Sequence, residues 1–473
     1  MTKQLNVDVA IIGAGTGGMY ALREVRRSKQ SFVLIDSGPL GTTCARVGCM
    51  PSKVALHIAE YWNSQKEFER YGISGAEHLR LDGAVAWQAL REQRDRFAGG
   101  AANNAIKAAG EHLLMGRARF LEPTLLEVES ESGIQKVKAK SVIIAAGSRP
   151  VMPGFLQPFA EHCITTDEFF EMQELPQSIG ILGLGAIGLE MGLALARLGV
   201  EVHGADMAET VGGISDPEVS KVALAEFAKE MQLYLGAPAE LAKADTGVLL
   251  KAGGKQVQVD KVLVALGRRP NTDQLNLAEV GFELDERGNP LFNPNTLQVG
   301  DHPVFIVGDS NAYRPLMHEA ADEGAMAGYN TAQETPLAFK RKTSLAIAFT
   351  NPDVISVGAR FDELNQDDIL IGTASSQANG RSRVISDREG VLRLYANKHS
   401  GKLLGASMVG VRAEHVAQLL ALAIERGETA HSLLQLAFYH PVVEEIVQAA
   451  AQDIARKIPE ASGLPFGLVL ADA

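Results

Sequence analysis

Two closely spaced cysteines give the first indication of chemistry in this chain. Cys44 and Cys49 lie in the segment GTTCARVGCMPSK, which covers residues 41–53. A regular helix rises roughly 7.5 Å over five residues, whereas a disulfide tolerates about 7 Å between Cα atoms. A bridge between these cysteines therefore requires a distorted turn leading into the helix. A disulfide in such a place is easily reduced, and a helix start lowers the pKa of a thiol.

The pair has three interpretations: a redox disulfide, two metal ligands or two structural thiols. A metal site needs further ligands, and no second Cys or His pair has matching spacing, so we predict no metal site. The third cysteine, Cys163, has no partner motif and is predicted to be a small buried apolar residue. Three cysteines in 473 residues also exclude a disulfide-stapled secreted scaffold. The redox interpretation is favoured.

A glycine-rich pattern occurs twice in the chain. Residues 7–18 read VDVAIIGAGTGG and residues 178–190 read SIGILGLGAIGLE, and each is a β-run followed by a glycine turn and a helix-forming stretch. In such turns the first glycine makes the bend, the second admits a pyrophosphate and the third lets helix pack on strand. The three glycines of each copy are Gly13, Gly15 and Gly18, and Gly183, Gly185 and Gly188.

Each copy continues into a second β-run that ends in an acid. Asp36 and Asp206 both lie 23 residues after the first glycine of their copy. A carboxylate at this position accepts the hydroxyls of a ribose, while the helix N-terminus binds the phosphates. The repeated spacing predicts two dinucleotide-binding sites.

The remaining pattern predicts an α/β fold with two Rossmann-like, three-layer nucleotide-binding domains and a C-terminal α+β dimerisation domain. We expect the first nucleotide-binding domain at residues 1–150, completed by about 271–345, the second at 151–270, and the C-terminal domain at 346–473. The further predicted helices are about 44–66, 85–110, 413–427 and 442–457, and the further predicted strands include short ones at 113–140, a buried one at 141–150 and others at 261–272 and 304–309. Little regular structure is expected after Pro459.

Composition excludes several classes of protein. The net charge of −12 argues against a nucleic-acid binder and gives no reason to bind anionic lipid. No apolar run of about 20 residues lacks charges, since the richest, 179–200, contains Glu190 and Arg197. The first β-run begins at Val7, which leaves no room for a signal peptide. We therefore expect a cytoplasmic protein without a membrane partner.

Taken together, the motifs resemble those of the class I pyridine nucleotide–disulfide oxidoreductases, a family of FAD-dependent enzymes. The resemblance covers nearly the whole chain in the right order. Besides the cysteine segment and the two glycine turns, it rests on IIAAGSRP at 143–150, GRRPNT at 267–272, VGD at 307–309, FTNPDVISVG at 349–358 and YHPVVEE at 439–445.

The resemblance implies FAD at the first glycine turn and NAD at the second. Asp309 is expected to bind the ribityl chain, and Lys53, paired with Glu190, is expected beside the flavin ring. The implied cofactor-binding residues are Gly13, Gly15, Gly18, Asp36, Lys53, Gly147, Asp309, Gly183, Gly185, Gly188, Asp206 and Gly267.

The resemblance also assigns the catalytic roles. It implies that Cys49 lies next to the flavin and that Cys44 is the interchange thiol. His440 is the expected base, with Glu445 orienting its ring, and the family takes this pair from the partner subunit of a homodimer. Here the residues between them are Pro-Val-Val-Glu, where lipoamide dehydrogenases more often have Pro-Thr-Leu-Ser, so that Glu444 is a rival carboxylate.

The nucleotide and the substrate are predicted separately. No Lys or Arg lies between Leu198 and Ser220 to bind a 2′-phosphate, which favours NAD over NADP. No cysteine follows Cys163, which disfavours a mercuric reductase with a vicinal C-terminal pair. The favoured function is a dihydrolipoyl dehydrogenase that oxidises dihydrolipoyl groups with NAD. The alternatives are an NADH-dependent reductase of another disulfide and a redox-sensing or assembly flavoprotein.

Overall fold

A computed structural model describes residues 4–458 and 464–471 of the chain. The N-terminal part alternates strands and helices in the manner of a parallel α/β unit. Its elements are β1 (Gln4–Ile12), α1 (Thr16–Arg27), β2 (Phe32–Asp36), α2 (Thr43–Val47), α3 (Cys49–Asn63), α4 (Gly83–Ala109), β3 (Leu113–Met115), β4 (Arg117–Glu122), β5 (Leu125–Ser130), β6 (Gly133–Ile144) and β7 (Ser148–Pro150).

The first sheet places the first glycine turn at its centre. The strand order is β3-β2-β1-β6-β5-β4, and β1 pairs in parallel with both β2 and β6. Residues Val142, Ile143 and Ile144 at the end of β6 are fully buried, as expected of a parallel strand covered on both faces. The turn after β1 therefore opens at the carboxyl edge of the sheet, between two buried strands.

The second unit repeats this arrangement on a smaller scale. Its elements are β8 (Cys163–Ile164), α5 (Thr166–Phe169), β9 (Ser178–Leu182), α6 (Ala186–Arg197), β10 (Glu201–Asp206), α7 (Pro217–Phe227), β11 (Gln232–Leu235), β12 (Ala239–Lys243), β13 (Val248–Ala252), β14 (Lys255–Val259), β15 (Lys261–Val264) and β16 (Arg268–Pro270). The parallel sheet has the order β11-β10-β9-β15-β8, and β12, β13 and β14 form a separate antiparallel sheet. The second glycine turn follows β9, the middle strand, so the two copies are equivalent in the fold as well as in sequence.

Later segments return to the first unit. The strand β17 (Val304–Ile306) pairs in parallel with β6, and the helix α8 (Met317–Asn330) packs against α1. The two units are also joined by a two-stranded antiparallel ladder of β7 and β16. The strand predicted for residues 141–150 is therefore wrong in its bounds, because β6 ends at Ile144 and residues 148–150 cross to β16.

The C-terminal part is an antiparallel sheet covered by helices. Its elements are β18 (Leu345–Ala348), β19 (Asp353–Gly358), β20 (Ile369–Ser375), α9 (Gly380–Ile385), β21 (Val391–Asn397), β22 (Leu403–Gly410), α10 (Ala413–Arg426), α11 (Ala430–Leu433) and α12 (Glu445–Ala455). The strand order is β18-β19-β22-β21-β20. Apolar residues of the sheet and of α10 and α12 form one core cluster, which packs α12 against the sheet.

The predicted fold class, with two Rossmann-like units and a C-terminal α+β part, is confirmed. The domain boundaries remain predictions. Part of the tail predicted to lack regular structure, 459–463 and 472–473, lies outside the described residues, and residues 464–471 form no helix or strand. Within the described ranges, none of the helices combines the length and apolar character needed to span a bilayer.

Candidate active site

The two cysteines lie on two short helices separated by a break. Cys44 belongs to α2 and Cys49 is the first residue of α3, with Gly48 between them at φ −135° and ψ −119°. A Cβ at Gly48 would lie 3.3 Å from the Cα of Cys44, so the chain folds back closely there. The two side chains are hydrogen-bond partners, and both are free thiols. The break at Gly48 supplies the distortion that a bridge between them requires.

The electrostatics of the pair distinguish its two sulfurs. The hydrogen bond from Cys44 and the positive charge of Lys53 lower the pKa of Cys49 to about 7, although its side chain is exposed. The same hydrogen bond, together with burial, raises the pKa of Cys44. Cys49 starts α3 without a side-chain cap before it, so the helix N-terminus also favours its thiolate. Above about pH 7 the reduced pair is therefore a Cys49 thiolate that accepts a hydrogen bond from the protonated thiol of Cys44.

Lys53 lies one helical turn after Cys49 and is tied to the second unit. Its Nζ atom is 2.8 and 2.7 Å from the two carboxylate oxygens of Glu190. Glu190 is buried on α6 and also accepts the backbone N–H of Phe349 at 2.9 Å, while the ammonium lies 4.5 Å from the centroid of the Phe349 ring. The predicted pairing of Lys53 with Glu190 is present in the structure. It links the redox helix to the helix that follows the second glycine turn.

His440 and Glu445 form a second polar pair. The Nδ1 atom of His440 is 3.0 Å from Oε1 of Glu445, and the other carboxylate oxygen accepts the backbone N–H of Val442 at 3.1 Å. These two hydrogen bonds lower the pKa of Glu445. The imidazole itself is 76% exposed and, among the described residues, its only side-chain partner is Glu445. This arrangement leaves Nε2 without a hydrogen-bond partner in the described part of the chain.

The glycine turns satisfy the physical requirements of nucleotide binding. At Gly13 φ is +107° and a Cβ would lie 2.2 Å from the carbonyl oxygen of Ala145, and at Gly183 φ is +91° with a contact of 2.5 Å to Ala265. The helices α1 and α6 begin without a side-chain cap and without an acid in their first turns. Their N-terminal N–H groups therefore remain available to phosphates.

The acids after the second strands hold the glycine turns directly. Oδ2 of Asp36 accepts the N–H of Ala14 at 2.7 Å, and Oδ2 of Asp206 accepts that of Leu184 at 2.6 Å. The second oxygen of each carboxylate accepts an N–H two residues further along the chain. Ribose recognition by these acids remains a prediction, whereas their support of the turns is a role that the sequence did not indicate.

A cavity beside the first glycine turn has the dimensions of a nucleotide site. Its volume is about 420 Å³, and its lining includes Gly13, Asp36, Arg117, Arg149 and Asn271. The lining combines the glycine turn with the acid, whereas Arg149 is paired with Asp273 at 2.5 Å, so the N–H groups at the start of α1 are the donors left for phosphate. The residues here therefore fit the adenine-nucleotide half of FAD.

The predicted cofactor residues Gly147, Gly267 and Asp309 meet where β7 and β16 join the two units. The carbonyl of Gly147 accepts the N–H of Asn271 at 2.9 Å, and that of Gly267 accepts the N–H of Val151 at 3.1 Å. Asp309 accepts the hydroxyl of Ser148 at 2.6 Å. The contacts of the two glycines are thus to protein backbone, and contact of all three with a cofactor remains a prediction.

One residue near this junction was missed by the sequence analysis. Glu323 on α8 is fully buried and accepts the N–H of Gly308 at 2.6 Å and the amide of Asn311 at 2.7 Å. Arg341 donates to its other oxygen at 2.6 Å. Glu323 thus fixes the turn that carries Asp309. Its signal, one acid within a helix, is too common to be read from a sequence.

Comparison with known proteins finds relatives that match nearly the whole chain. Two dihydrolipoyl dehydrogenases illustrate it: that of Bacillus subtilis is 29% identical over 95% of this chain and 96% of its own length, and that of Halobacterium salinarum is 30% identical over 94% and 95%. Two solved structures share the fold. The HOCl-induced flavoprotein disulfide reductase RclA from Escherichia coli has a TM-score of 0.83 at 22% identity, covering 96% of this chain and 99% of that one. LpdA from Mycobacterium tuberculosis has a TM-score of 0.83 at 20% identity, with 95% and 99% covered.

Family models cover most of the chain. Residues 7–324 match the model described as pyridine nucleotide-disulphide oxidoreductase. Residues 345–451 match the dimerisation domain of the same family, which supports a homodimer. The chain therefore belongs to the pyridine nucleotide–disulphide oxidoreductases, enzymes that use FAD and NAD(H).

Proposed function

We propose that this enzyme is a dihydrolipoyl dehydrogenase. A dihydrolipoyl dithiol and NAD⁺ are converted to the lipoyl disulfide, NADH and one proton. The observation that carries the proposal is the thiol pair itself, in which Cys44 donates to a Cys49 whose pKa is about 7. Such a pair accepts two electrons by forming a disulfide and passes them on when it is reduced again. The names of the relatives at 29–30% identity support the choice of substrate.

One group of residues acts on the substrate thiol, and another acts beside the flavin. Cys44 exchanges with the substrate sulfur, and His440 accepts the proton of the attacking thiol, with Glu445 orienting the imidazole. FAD, which Gly13, Asp36 and Asp309 would hold, would supply the two-electron carrier between the Cys44–Cys49 pair and the nicotinamide. Lys53, held by Glu190, provides a fixed positive charge beside Cys49 and at the flavin site.

His440 is proposed to serve the partner subunit. Its ring is 76% exposed, and within the described part of its own chain Glu445 is its only side-chain hydrogen-bond partner. The match of residues 345–451 to a dimerisation domain supports a pairing that brings this ring to the other protomer's Cys44. The active site is then complete only in the homodimer.

The two nucleotide sites are assigned by the repeat. We assign FAD to residues 1–150 with about 271–345, through Gly13, Gly15, Gly18, Asp36 and Asp309. We assign NAD to residues 151–270, through Gly183, Gly185, Gly188 and Asp206. Contacts from Gly147 and Gly267 are proposed where the units meet, and residues 346–473 form the dimer.

A second candidate is an NADH-dependent reductase of another disulfide. The shared fold of a flavoprotein disulfide reductase fits this alternative. The change to Val442, Val443 and Glu444 next to His440 also alters the surface that a substrate meets. In this candidate the same residues work with the electrons flowing from NADH to the disulfide.

The first experiment is to supply the purified FAD-loaded enzyme with dihydrolipoamide and NAD⁺, with NADP⁺ in parallel. Rapid oxidation of dihydrolipoamide with NAD⁺ but not with NADP⁺ supports the proposal and the role of Asp206. If NADH reduces the bound flavin but dihydrolipoamide gives no turnover, the dehydrogenase assignment is wrong and the second candidate stands.

A Cys44→Ser variant serves as the control in both assays. The role proposed for Cys44 is exchange with the substrate and does not include holding FAD, so the variant is expected to retain FAD and to lose disulfide exchange completely. Loss of FAD from a folded Cys44→Ser protein contradicts the role given to this cysteine.

A further inference from the structure

A buried asparagine holds the loop between His440 and α12. Asn379 lies 61 residues earlier in the chain and is 5% exposed. Its Nδ2 atom donates to the carbonyl oxygens of Val442 at 3.2 Å and Val443 at 3.3 Å. No other side chain among the described residues donates to these two carbonyls. The amide of Asn379 is therefore the side-chain anchor of these two carbonyls, beside the backbone N–H of Ile446, which donates to the carbonyl oxygen of Val443 at 3.0 Å.

The anchor connects directly to the histidine–glutamate pair. The N–H of Val442 donates to Oε2 of Glu445 at 3.1 Å, and Oε1 of Glu445 lies 3.0 Å from Nδ1 of His440. The backbone of Val442 is thus held at its carbonyl by Asn379 and at its N–H by Glu445. A displacement of Val442 moves the carboxylate that orients the imidazole.

The surroundings of the imidazole make this connection important. The ring of His440 is largely exposed, so packing within its own chain does not fix its orientation. The loop has one apolar anchor, Val443, which is buried in the same core cluster as Ile446 and Val447. Val443 fixes the depth of the loop, but a side chain without polar atoms does not orient the neighbouring peptide groups.

We propose that Asn379 is a positioning residue for the His440–Glu445 pair. This inference rests on the proposed function, in which His440 is the base. Asn379 has a second, separable contact, because its Oδ1 atom accepts the N–H of Ser382 at 2.8 Å and so caps α9. The two contacts use different atoms of one side chain, which allows them to be tested apart.

The test uses Asn379→Ser and Asn379→Asp in the FAD-loaded enzyme. Both replacements keep an oxygen that caps a helix, and neither keeps the amide that donates to Val442 and Val443. We expect kcat for dihydrolipoamide oxidation to fall about tenfold to hundredfold, as for other misplaced catalytic groups. The rate of flavin reduction by NADH and the FAD content are expected to be unchanged, because neither requires His440. Asn365→Ser, at an exposed capping asparagine of the same domain, is the control that keeps wild-type rates.

A double-mutant cycle with Glu445→Gln tests the route of the effect. If Asn379 acts through Glu445, the fold-decrease in kcat of the variant that carries both substitutions is smaller than the product of the two single fold-decreases. Multiplicative losses, or a parallel loss of flavin reduction by NADH, overturn the inference and indicate a general structural role.

A His440→Gln variant separates this inference from the proposed function. If His440→Gln abolishes turnover and the Asn379 variants do not lower it, the inference is wrong and the proposed function stands. If His440→Gln retains full turnover, the role of base given to His440 is wrong and this inference falls with it, while the assignment of the dihydrolipoyl substrate stands.

Discussion

The imidazole of His440 is paired with Glu445 and not with the adjacent Glu444. The distance from Nδ1 to Oε1 of Glu445 is 3.0 Å. Glu444 is the residue before the first turn of α12, and within the described residues its side chain has no hydrogen bond or ion pair. The rival carboxylate that the sequence offered is thus excluded by the direction of the helix start, which turns Glu445 toward the loop.

The matched substitutions Glu445→Gln and Glu444→Gln test this pairing. Glu445→Gln is expected to lower kcat for dithiol oxidation by roughly a hundredfold, within the range for a disturbed general base. Glu444→Gln is expected to keep wild-type turnover. Steady-state assays with dihydrolipoamide and NAD⁺ distinguish the two, and equal losses in both variants contradict the assignment.

Local patterns in the sequence were sufficient for much of the fold. The spacing of Gly13 to Asp36, repeated from Gly183 to Asp206, predicted two equivalent strand–turn–helix units, and both are present at the centres of their sheets. Such turns depend on backbone conformation and close packing over a few residues, which a sequence records directly.

The exact conformation of a short turn and the contacts between distant residues could not be predicted in this way. The helix expected for 44–66 is broken at Gly48, because the close approach to Cys44 requires it. The contact of Asn379 with Val442 spans 63 positions, and a lone asparagine in a loop carries no periodic signal. The contact of Asn379 with Val442 depends on how the sheet and helices of the C-terminal part pack together.

The thiolate of Cys49 gives a prediction about pH. Its pKa of about 7 is lowered chiefly by the hydrogen bond from Cys44 and by the charge of Lys53. In the reduced enzyme, alkylation of Cys49 is expected to accelerate as pH rises through 7 and to slow below it, because only the thiolate reacts. Lys53→Met removes the positive charge, so the midpoint is expected to move to higher pH.

Lys66→Met, on the 3-10 turn Ser64–Glu67 after α3, is the control for this titration. It removes an equal charge further along the same segment and is expected to leave the midpoint unchanged. A midpoint in Lys53→Met that equals that of the wild type shows that Lys53 does not stabilise the thiolate.

The two acids that support the glycine turns allow a paired test of the nucleotide assignment. An amide in place of the carboxylate accepts through one oxygen, so one of the two backbone N–H groups at each acid loses its partner. Asp206→Asn is expected to weaken NADH binding about tenfold and to keep FAD. Asp36→Asn is expected to lower the FAD content of the purified protein. The absorbance ratio of flavin to protein and an NADH titration measure both effects, and the reverse pattern means that the nucleotide sites are exchanged.

Thr42 carries a backbone conformation that a β-branched residue rarely adopts. Its φ is +61° and its ψ is +145°, and its Oγ1 accepts the N–H of Ala45 at 3.1 Å, which caps α2 just before Cys44.

Thr42→Ala loses the cap and keeps the strain, so we expect the free energy of unfolding to fall by about 1 kcal/mol. Thr42→Gly loses the same cap but relieves strain of roughly 1–3 kcal/mol, which exceeds the entropic penalty of glycine, about 0.5–1 kcal/mol. Thermal unfolding of the two FAD-loaded variants should therefore give a higher Tm for glycine than for alanine. An equal or lower Tm for Thr42→Gly means that the positive φ of Thr42 stores no strain next to the redox cysteines.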